Sequence, residues 1–374
     1  MNINKEKYVV YLVLSIYPCS TGCLEIFYHK LLPEMAKREN VAIITSCNKL
    51  KNPNYKVIII KKRILSIPGT GKFGIIIHSA SALIKFRKNV KIIHFPYTSN
   101  SGRWGLLFPL LKKFFKISYL LQIHGGGMKP WKKINLDRIL FRYADKILAV
   151  STIIKDEYEK RSGRTIEVGY PLVPFVKASE SKDYIKAKLK FNLEDRIILF
   201  VGSLKELKSP DVLLNAYIQL GKQYIEKNNI KLIFVGEGVL KESLIKQVNS
   251  NDLSQRVIFT GNISYFKVSY YYKIADIYVI PSKFEGTPKS LLEAMFNKLP
   301  IIGSNVNGIN NIIIHNTNGM LFKEDHINEL EAHIRTLLND EEKADYLAKA
   351  ACKTYKKSFS FKNSVRQLIY SYNT

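Results

Sequence analysis

The 374-residue sequence predicts an α/β protein built from two doubly wound parallel sheets in series. Short apolar runs rich in β-branched residues alternate with amphipathic stretches along nearly the whole chain, as strands and crossover helices do. This alternation stops at a polar stretch, residues 177–183, which we interpret as a linker, and then begins again. The chain is long enough for two cores, since single domains usually have about 100 to 200 residues.

Seven strand candidates indicate the first domain, which we place at residues 1–170. Most of them are followed by a helical stretch that can return the chain to the same edge of a sheet. The seven runs are residues 8–14, 41–45, 56–60, 91–95, 119–123, 146–150 and 165–168. Gly169, Pro171 and Pro174 then interrupt the pattern, as turn-forming residues do at a boundary.

The same pattern repeats in a second domain, which we place at residues 171–358. Its strand candidates are residues 196–201, 231–235, 256–260, 277–280 and 300–302. Residues 359–374 follow the last element and contain a short amphipathic helix. We expect this helix to cross back and pack on the first domain.

The positive charge is concentrated in the first domain. The chain has a formal net charge of +27, and residues 1–170 hold 30 Lys and Arg against 10 Asp and Glu. Between Glu39 and Asp137 there are 18 Lys and Arg and no acidic residue. Such a surface attracts polyanions, so nucleic acid, anionic lipid and phosphorylated acceptors are candidate partners. An AT-rich genome, which raises Lys, Ile and Asn content, is an alternative source of the overall excess.

Nucleic acid is the weaker of these candidates. The sequence has no helix-turn-helix, no RNP-like aromatic pattern and no zinc knuckle. Its four cysteines include no CxxC pair, so they predict neither a zinc site nor a disulfide framework, and they fit a reducing cytosol. We therefore favour an enzyme and keep a basic nucleic-acid-binding protein as the alternative.

The loops after strands are the candidate site, because open parallel sheets bind ligands beyond the carboxyl ends of their strands. The loop with the most candidate ligand-binding side chains follows residues 277–280. It contains Glu285, and the helix after it contains Glu293. We expect Glu293 to accept hydrogen bonds from ribose hydroxyls and Glu285 to hold sugar hydroxyls. The residues alone leave an alternative open, in which Glu285 is solvent-exposed and Glu293 pairs with a lysine.

The segment between the two carboxylates has the features of an anion-binding helix start. A glycine there permits close backbone approach to a ligand, and a proline suits the first turn of a helix. Free amides at a helix N-terminus bind phosphate. Within residues 287–291 the backbone amides are expected to face phosphate, apart from Pro288, which has no N–H. The donor-binding residues expected in this segment are Gly286, Thr287, Pro288, Lys289 and Ser290.

Residues 284–295 resemble the Glu-x7-Glu segment of retaining GT-B glycosyltransferases of family 4. Other segments resemble loops of that family in the same order along the chain. They are residues 21–25, His124 with residues 125–127, residues 200–204 with Lys208, residues 234–238 and residues 259–261. The resemblance covers almost the whole chain. It implies two Rossmann-like domains that face each other across a cleft, the first binding the acceptor and the second the nucleotide-sugar donor.

The resemblance also implies a set of donor-binding residues. It assigns Lys208 to the donor phosphates, where cations and N–H donors stabilise the charge that develops on the leaving group. The loop positions expected to approach the donor are Gly22, Gly202, Ser203, Gly236 and Gly261. The family has Arg at the position of Ser203, which offers a hydroxyl but no charge. Lys205 or a residue of the other domain is therefore expected to compensate.

We predict His124, Lys208 and Glu285 as the catalytic residues. The resemblance implies that His124 lies beside the transferred sugar, whereas His94, which no glycine run follows, is assigned to packing. No protein nucleophile is found, so a retaining enzyme implies a front-face reaction in which the departing phosphate acts as the base. The sequence has no Asp-x-Asp and no cluster with metal-ligand spacing. We therefore predict no metal and no cofactor beyond a UDP- or GDP-linked donor substrate.

The predicted function is transfer of a hexose-type sugar to a lipid-linked or free saccharide acceptor. Family members of this type act in the synthesis of bacterial surface polysaccharides such as capsule, O-antigen and lipopolysaccharide. Another GT-B enzyme, such as a sugar-nucleotide epimerase, is the alternative within the same fold.

Residues 103–116 mix apolar and basic side chains in a way that suits a helix lying on a membrane surface. The side chains expected on its apolar face are Trp104, Leu107, Phe108, Leu111 and Phe115, with Lys112 and Lys116 beside them. A helix that faces the protein core has the same apolar stripe, so that alternative stays open. We expect peripheral docking on anionic lipid at the cytoplasmic face, with no membrane-spanning helix.

Overall fold

The computed structural model describes residues 6–13, 23–45, 47, 49–50, 54–59, 71–97, 107–124, 136–169 and 175–373. The chain forms two compact units, of which the first comprises Met1–Pro174 with Ser360–Thr374 and the second comprises Phe175–Phe359. Each unit is built on one parallel β-sheet with helices in its connections. The predicted fold class, two doubly wound α/β domains, is confirmed.

The first unit has a seven-stranded sheet, counted over the described residues. Its strands are β1 Tyr8–Leu12, β2 Val41–Thr45, β3 Lys56–Ile59, β4 Val90–Tyr97, β5 Tyr119–Ile123, β6 Lys146–Ala149 and β7 Glu167–Val168. Its first helices are α1 Cys23–Ala36, α2 Gly71–Phe86, α3 Leu107–Phe115, α4 Leu136–Tyr143 and α5 Thr152–Ser162. The strands pair in parallel in the order β3-β2-β1-β4-β5-β6-β7. Strand β4 continues through Pro96, past the predicted end at residue 95, and Pro96 lies opposite Gln122 of β5.

The second unit has a six-stranded sheet. Its strands are β8 Arg196–Val201, β9 Ile230–Val235, β10 Val257–Gly261, β11 Ile277–Ile280, β12 Ile301–Ser304 and β13 Met320–Phe322. Its helices are α6 Lys182–Lys188, α7 Pro210–Gln219, α8 Lys222–Lys227, α9 Lys241–Ser250, α10 Tyr265–Ile274, α11 Lys289–Phe296, α12 Ile327–Asn339 and α13 Glu341–Thr354. The strands pair in parallel in the order β10-β9-β8-β11-β12-β13.

Two elements of the second unit differ from the prediction. Strand β13 was not predicted, because three residues are too few to show an alternating pattern. Helix α6 begins inside the polar stretch that we interpreted as a linker. Ser181 caps it, since its Oγ accepts a hydrogen bond from the backbone N–H of Tyr184 at 3.2 Å.

The last helix of the chain, α14 (Phe361–Asn373), belongs to the first unit although it follows the second in sequence. Val365, Leu368 and Tyr372 are buried, and their spacing puts them on one face of the helix. The Tyr372 hydroxyl lies 2.7 Å from that of Tyr11 on β1. Helix α14 therefore contributes both apolar and polar contacts to the core of the first unit.

Helix α3 turns part of the predicted membrane face toward the core. Phe108 and Leu111 are buried, and the Phe108 ring packs against Phe95 and Tyr119 with ring centroids 4.9 and 5.2 Å apart. The core-facing alternative is therefore correct for these two residues, because an apolar stripe does not reveal what covers it. Trp104 lies outside the described residues.

The side chains that are exposed on α3 and directly after it form what we call the α3 patch, which includes Phe115 and Lys116 of the predicted membrane face. Its members are Leu110, Lys113, Phe114, Phe115 and Lys116. Lys112, which was expected beside the membrane face, instead pairs with Asp145 at 2.7 Å. Within the described part of the chain, no helix is long and apolar enough to cross a bilayer.

The cysteines depart from the prediction at one position. Cys47 is disulfide-bonded, whereas Cys352 is a buried free thiol. The expectation of cysteines without disulfides is therefore wrong for Cys47. Spacing along the chain does not show which cysteine side chains meet in the fold.

Candidate active site

The sheet of the second unit has a switch point at β8. The chain first adds strands on one side of β8 and then returns to place β11 on the other side. At a switch point the loops after the two adjacent strands diverge, which leaves a crevice at the carboxyl ends. The loops after β8 and β11 carry Lys208 and Glu285, respectively.

Lys208 ends a short 3-10 turn, Glu206–Lys208, between β8 and α7. Ser209 follows with a φ of 45°, and Pro210 takes the first position of α7, where its fixed φ favours the helix. This change of direction holds Lys208 at the start of α7. The Lys208 Nζ lies 2.5 Å from Oε1 of Glu285, a residue 77 positions away.

Glu285 is a buried carboxylate with 7% exposure. The Ser282 hydroxyl donates a hydrogen bond of 2.8 Å to Oε1, the same oxygen that Lys208 contacts. Because a buried carboxylate is strongly destabilising without partners, these two contacts are required for the loop to fold in this form. The alternative in which Glu285 is solvent-exposed is wrong.

The backbone of the Glu285 loop is held by a second loop that contains Gly308. The Glu285 amide donates to the carbonyl of Asn307 at 3.3 Å. Gly308 has a φ of 90°, and a Cβ there would lie 2.1 Å from the Glu285 carbonyl oxygen. Only glycine can occupy this position without moving the carboxylate loop.

The predicted phosphate-binding segment lies at the N-terminus of α11. Pro288 is the N-cap residue, and the first helical hydrogen bond runs from the Leu292 amide to the Pro288 carbonyl at 3.2 Å. The amides before Leu292 cannot bond within the helix, and they lie at the positive end of the helix dipole. Gly286, Thr287 and Ser290 are half-buried there, and Lys289 is exposed.

Glycines at the carboxyl ends of three strands bring their loops into contact: Gly202 follows β8, Gly236 follows β9 and Gly261 ends β10. Gly236 has a φ of 142°, and a Cβ there would lie 1.9 Å from the Gly202 carbonyl oxygen. Gly236 also forms an isolated bridge with Gly261, which has a φ of 70°. Larger residues at Gly236 would therefore separate the loops. Ser203 is half-buried beside them, and Lys205 is exposed.

Glu293 has a partner that the sequence did not suggest. Its Oε2 accepts a hydrogen bond of 2.9 Å from the Tyr272 hydroxyl of α10, and no lysine pairs with it among the described residues. Burial raises the pKa of Glu293 to about 7, against the opposing effects of Tyr272 and Lys289. The carboxyl group lines a small pocket whose other members are Phe175, Val176, Val268, Ser269, Tyr272 and Asn297.

His124 follows β5 in the first unit, and its amide donates to the carbonyl of Tyr97 at 3.0 Å. Its Nε2 lies 3.0 Å from the hydroxyl of Tyr28 on α1. The predicted glycine positions near it, Gly22 and residues 125–127, lie outside the described residues. The role of His124 beside the transferred sugar therefore stays a prediction.

His94 packs in the core, as predicted, with its ring stacked on Tyr11 at 4.7 Å between centroids. The ring is fully buried, and both of its nitrogens have hydrogen-bond partners. Nδ1 lies 2.6 Å from the Tyr372 hydroxyl, and Nε2 lies 3.0 Å from Oε1 of Gln122. Burial lowers the pKa of His94 to about 3, so the ring is neutral. The signal in the sequence was a polar residue between apolar neighbours within a strand, His94 in β4 and Gln122 in β5.

Residues 181–354 match the family Glycosyl transferases group 1. The chain therefore contains a group 1 glycosyltransferase domain. The matched residues lie within the second unit and include Lys208, Glu285 and Glu293.

Curated relatives extend the similarity beyond the matched residues. An uncharacterized glycosyltransferase of Methanocaldococcus jannaschii is 28% identical over 313 residues, which cover 78% of this chain and 82% of the relative. The alpha-monoglucosyldiacylglycerol synthase of Streptococcus pneumoniae is 26% identical over 189 residues, which cover 49% of this chain and 42% of the relative.

Solved structures share the fold over almost the whole chain. A glycosyltransferase from Rickettsia africae has a TM-score of 0.76 at 17% identity and covers 98% of both chains. HepE from Anabaena in complex with UDP has a TM-score of 0.74 at 16% identity, covering 98% of this chain and 99% of the other. These matches confirm two Rossmann-like domains of the GT-B type.

The glycosyltransferase domain brings together some of the predicted residues and separates others. Lys208 and Glu285 are in direct contact, whereas Glu293 has its own partner, Tyr272, on another helix. Tyr272 and Asn297 were not predicted, because neither lies in a loop after a strand. Asn297 has a buried Oδ1 without a hydrogen-bond partner among the described residues, and its amide donates to the Glu293 carbonyl at 2.9 Å.

Proposed function

We propose that this protein is a retaining glycosyltransferase that moves a hexose-type sugar from a nucleotide-diphosphate donor to a saccharide acceptor. The observation that carries the proposal is the contact of Lys208 with Glu285 at the switch point of the sheet. A cation and a buried carboxylate side by side suit a ligand that has both a diphosphate and sugar hydroxyls. Both residues lie in the matched glycosyltransferase domain.

The donor diphosphate is proposed to bind where the β8 loop meets the N-terminus of α11. Lys208 supplies a positive charge, and the amides of Lys289 and Ser290 supply hydrogen-bond donors at a positive helix end. The residues proposed to let the donor approach the backbone are Gly202, Ser203, Gly236, Gly261, Gly286, Thr287 and Pro288. A UDP- or GDP-linked donor is proposed, with support from the similar HepE structures, which contain UDP or UDP-glucose. Gly22 stays a prediction.

The proposed reaction is a front-face substitution. The bond between the anomeric carbon and the diphosphate oxygen breaks, and the acceptor oxygen bonds to the same face of that carbon. The acceptor proton passes to the departing diphosphate, while Lys208 stabilises the negative charge that grows there. Retention means that the product keeps the anomeric configuration of the donor. Relatives named for α-products, such as the Alpha-D-kanosaminyltransferase of Streptomyces kanamyceticus, support retention if the donor sugar is itself α-linked.

Three further residues complete the proposal. Glu285 holds hydroxyls of the transferred sugar, and Glu293 binds the ribose through a carboxyl group that is already positioned by Tyr272. His124 lies beside the transferred sugar. We propose that no metal ion is required, since Lys208 and the α11 N-terminus supply positive charge to the diphosphate and the sequence has no Asp-x-Asp.

The acceptor is proposed to be a lipid-linked saccharide at the cytoplasmic face of a membrane, in bacterial surface polysaccharide synthesis. The α3 patch supports this, because exposed Phe114 and Phe115 lie beside Lys113 and Lys116. The guanidinium of Arg87 lies 5.8 Å from the Phe115 ring centroid and adds a charge at its edge. A relative whose name specifies a glucosyldiacylglycerol product gives further support.

Donor binding and acceptor-dependent turnover test the proposal. The protein is screened by thermal shift against UDP- and GDP-linked sugars, where a ligand at 100 times its Kd stabilises by about 2.7 kcal/mol. We expect sugars linked to one of the two nucleotides to stabilise the protein. Nucleoside diphosphate should be released by transfer only when a saccharide acceptor is added. Turnover should be unchanged in excess EDTA. Conversion of the donor sugar without an acceptor would identify an epimerase instead. The absence of stabilisation by every nucleotide-sugar would refute the proposal.

A further inference from the structure

A chain of buried polar groups reaches His124 from the C-terminal helix of the first unit. The Tyr372 hydroxyl lies 2.6 Å from His94 Nδ1, and His94 Nε2 lies 3.0 Å from Gln122 Oε1 and 3.1 Å from the Tyr28 hydroxyl. The Tyr28 hydroxyl lies 3.0 Å from His124 Nε2. All members except His124 are buried. Because each group can donate or accept only in certain combinations, the directions of the bonds from Gln122 through His94 to Tyr372 can be derived from one fixed point.

The fixed point is the side-chain amide of Gln122. Its Nε2 donates to the carbonyl oxygen of Gly169 at 3.3 Å, and a carbonyl can only accept. The amide is therefore oriented with Oε1 toward His94. Since Oε1 also only accepts, His94 must carry its proton on Nε2 and donate it to Gln122. His94 Nδ1 is then the acceptor, and the Tyr372 hydroxyl donates to it.

Distances favour one direction for the hydrogen bond between Tyr28 and His124. The Tyr28 hydroxyl has two possible acceptors, His124 Nε2 at 3.0 Å and Gln122 Oε1 at 3.3 Å. Gln122 Oε1 receives the proton of His94 at 3.0 Å and has a second lone pair. The distances favour His124 as the acceptor, because its contact with the Tyr28 hydroxyl is the shorter of the two, and we take Tyr28 as the donor to its Nε2. A neutral imidazole whose Nε2 accepts carries its proton on Nδ1.

We propose that Tyr28 and Gln122 are positioning residues that hold neutral His124 in the tautomer protonated at Nδ1. This inference rests on the proposed function, in which His124 lies beside the transferred sugar. In this tautomer Nδ1 is a hydrogen-bond donor, so it suits an oxygen of the sugar or an oxygen that gains negative charge. It cannot accept a proton at Nδ1, which excludes a role as general base through that nitrogen.

Tyr11 offers a matched control for Tyr28. Both are fully buried tyrosines of the first unit whose hydroxyls take part in the same chain. The Tyr11 hydroxyl bonds to Tyr372, at the end of the chain remote from His124. Tyr11→Phe and Tyr28→Phe therefore remove the same atom from similar surroundings, and only the second removes a contact to His124.

The tautomer is measured by ¹⁵N NMR of the imidazoles in the full chain labelled with ¹⁵N-histidine, and the His124 signals are identified by their loss in His124→Gln. We expect wild-type His124 and the Tyr11→Phe protein to show a protonated Nδ1. In Tyr28→Phe we expect protonation to move toward Nε2. In the same variant kcat should fall about tenfold or more with the donor KM unchanged, a loss similar to that seen when a partner that orients a metal-binding histidine is removed.

Either of two results would overturn the proposal: a wild-type His124 protonated at Nε2, or an equal loss of kcat in Tyr11→Phe and Tyr28→Phe. The first shows that the chain does not set the tautomer, and the second shows that Tyr28 acts only through stability. The NMR result does not depend on turnover. If His124→Gln retains full activity while the tautomer is as expected, the proposed role of His124 fails and the hydrogen-bond assignment stands.

Discussion

The hydroxyl of Tyr372 lies 2.6 Å from Nδ1 of His94, although 278 residues separate the two in the sequence. The contact joins helix α14 to strand β4 inside the first unit. Burial lowers the pKa of His94, so the imidazole is neutral and needs a donor at Nδ1. The last helix of the chain therefore completes a polar network in the core of the first unit. The other elements of that unit all come before the second unit in the sequence.

Tyr372→Phe should destabilise the first unit by about 1 to 3 kcal/mol, because it leaves a buried acceptor of His94 without its hydrogen bond. Chemical denaturation followed by tryptophan fluorescence or circular dichroism measures this. Tyr370→Phe is the control, since Tyr370 lies on the same helix with 65% exposure. That variant should change the free energy of unfolding by no more than about 0.5 kcal/mol. Equal effects of the two variants would contradict the network.

Lys208→Ala should affect both stability and rate. It leaves the buried carboxylate of Glu285 without its cation, which we expect to cost about 1 to 3 kcal/mol because Lys208 is itself partly exposed. It should lower kcat more than donor affinity, since the charge that Lys208 meets grows in the transition state. Lys283→Ala is the control, because Lys283 pairs with Asp325 on the exposed surface.

A second substitution separates the two roles of Lys208. Adding Glu285→Gln to Lys208→Ala removes the uncompensated charge, so the double variant should recover stability in denaturation experiments without recovering turnover. If donor affinity and kcat fell by the same factor in Lys208→Ala, Lys208 would be a binding residue only.

Glu293→Gln should change how stability depends on pH. Burial raises the pKa of Glu293 to about 7 in the folded protein, above its ordinary 4.5, so the folded state binds the proton more tightly than the unfolded state does. The carboxyl group therefore contributes stability below pH 4.5, and this is lost as pH rises toward 7. Relative to wild type, Glu293→Gln should gain up to about 3 kcal/mol over that interval. Urea denaturation at several pH values measures the difference.

Glu242→Gln is the control for Glu293, because Glu242 is an exposed carboxylate of the same unit. We expect its pH profile of stability to follow that of wild type. A constant difference between wild type and Glu293→Gln from pH 4.5 to 7 would show that Glu293 does not take up a proton in this range.

Lys113→Glu with Lys116→Glu should reduce binding to anionic vesicles, because each basic residue near such a surface contributes about 1 kcal/mol. Flotation with vesicles that contain anionic lipid measures this, and wild-type binding should weaken as salt rises. Lys227→Glu with Lys246→Glu is the control, an equal change of charge on exposed residues of the second unit. Equal binding to neutral and anionic vesicles, or binding to neither, would favour a soluble acceptor.

Much of the fold could be predicted from the sequence because strands and post-strand loops have local signatures. Strands β2, β5, β8 and β11 have the predicted bounds, since each is a compact apolar run between polar or turn-forming residues. Glu285 was predicted for a related reason, because ligands bind beyond the carboxyl ends of the strands in parallel sheets and Glu285 lies in a loop that follows one. Lys208 was assigned by the resemblance to GT-B glycosyltransferases.

Only the tertiary structure decided which side chains meet. A helical stripe shows that Phe108 and Leu111 avoid water, but not whether a membrane or a core covers them. A histidine inside an apolar strand shows that it is buried, but not that Tyr372 and Gln122 satisfy its two nitrogens. Periodicity depends on each residue's own preference for burial, whereas hydrogen bonds and ion pairs depend on partners far along the chain. The sequence alone therefore determined the strands and the candidate loops, and folding decided the contact of Lys208 with Glu285 and the network behind His124.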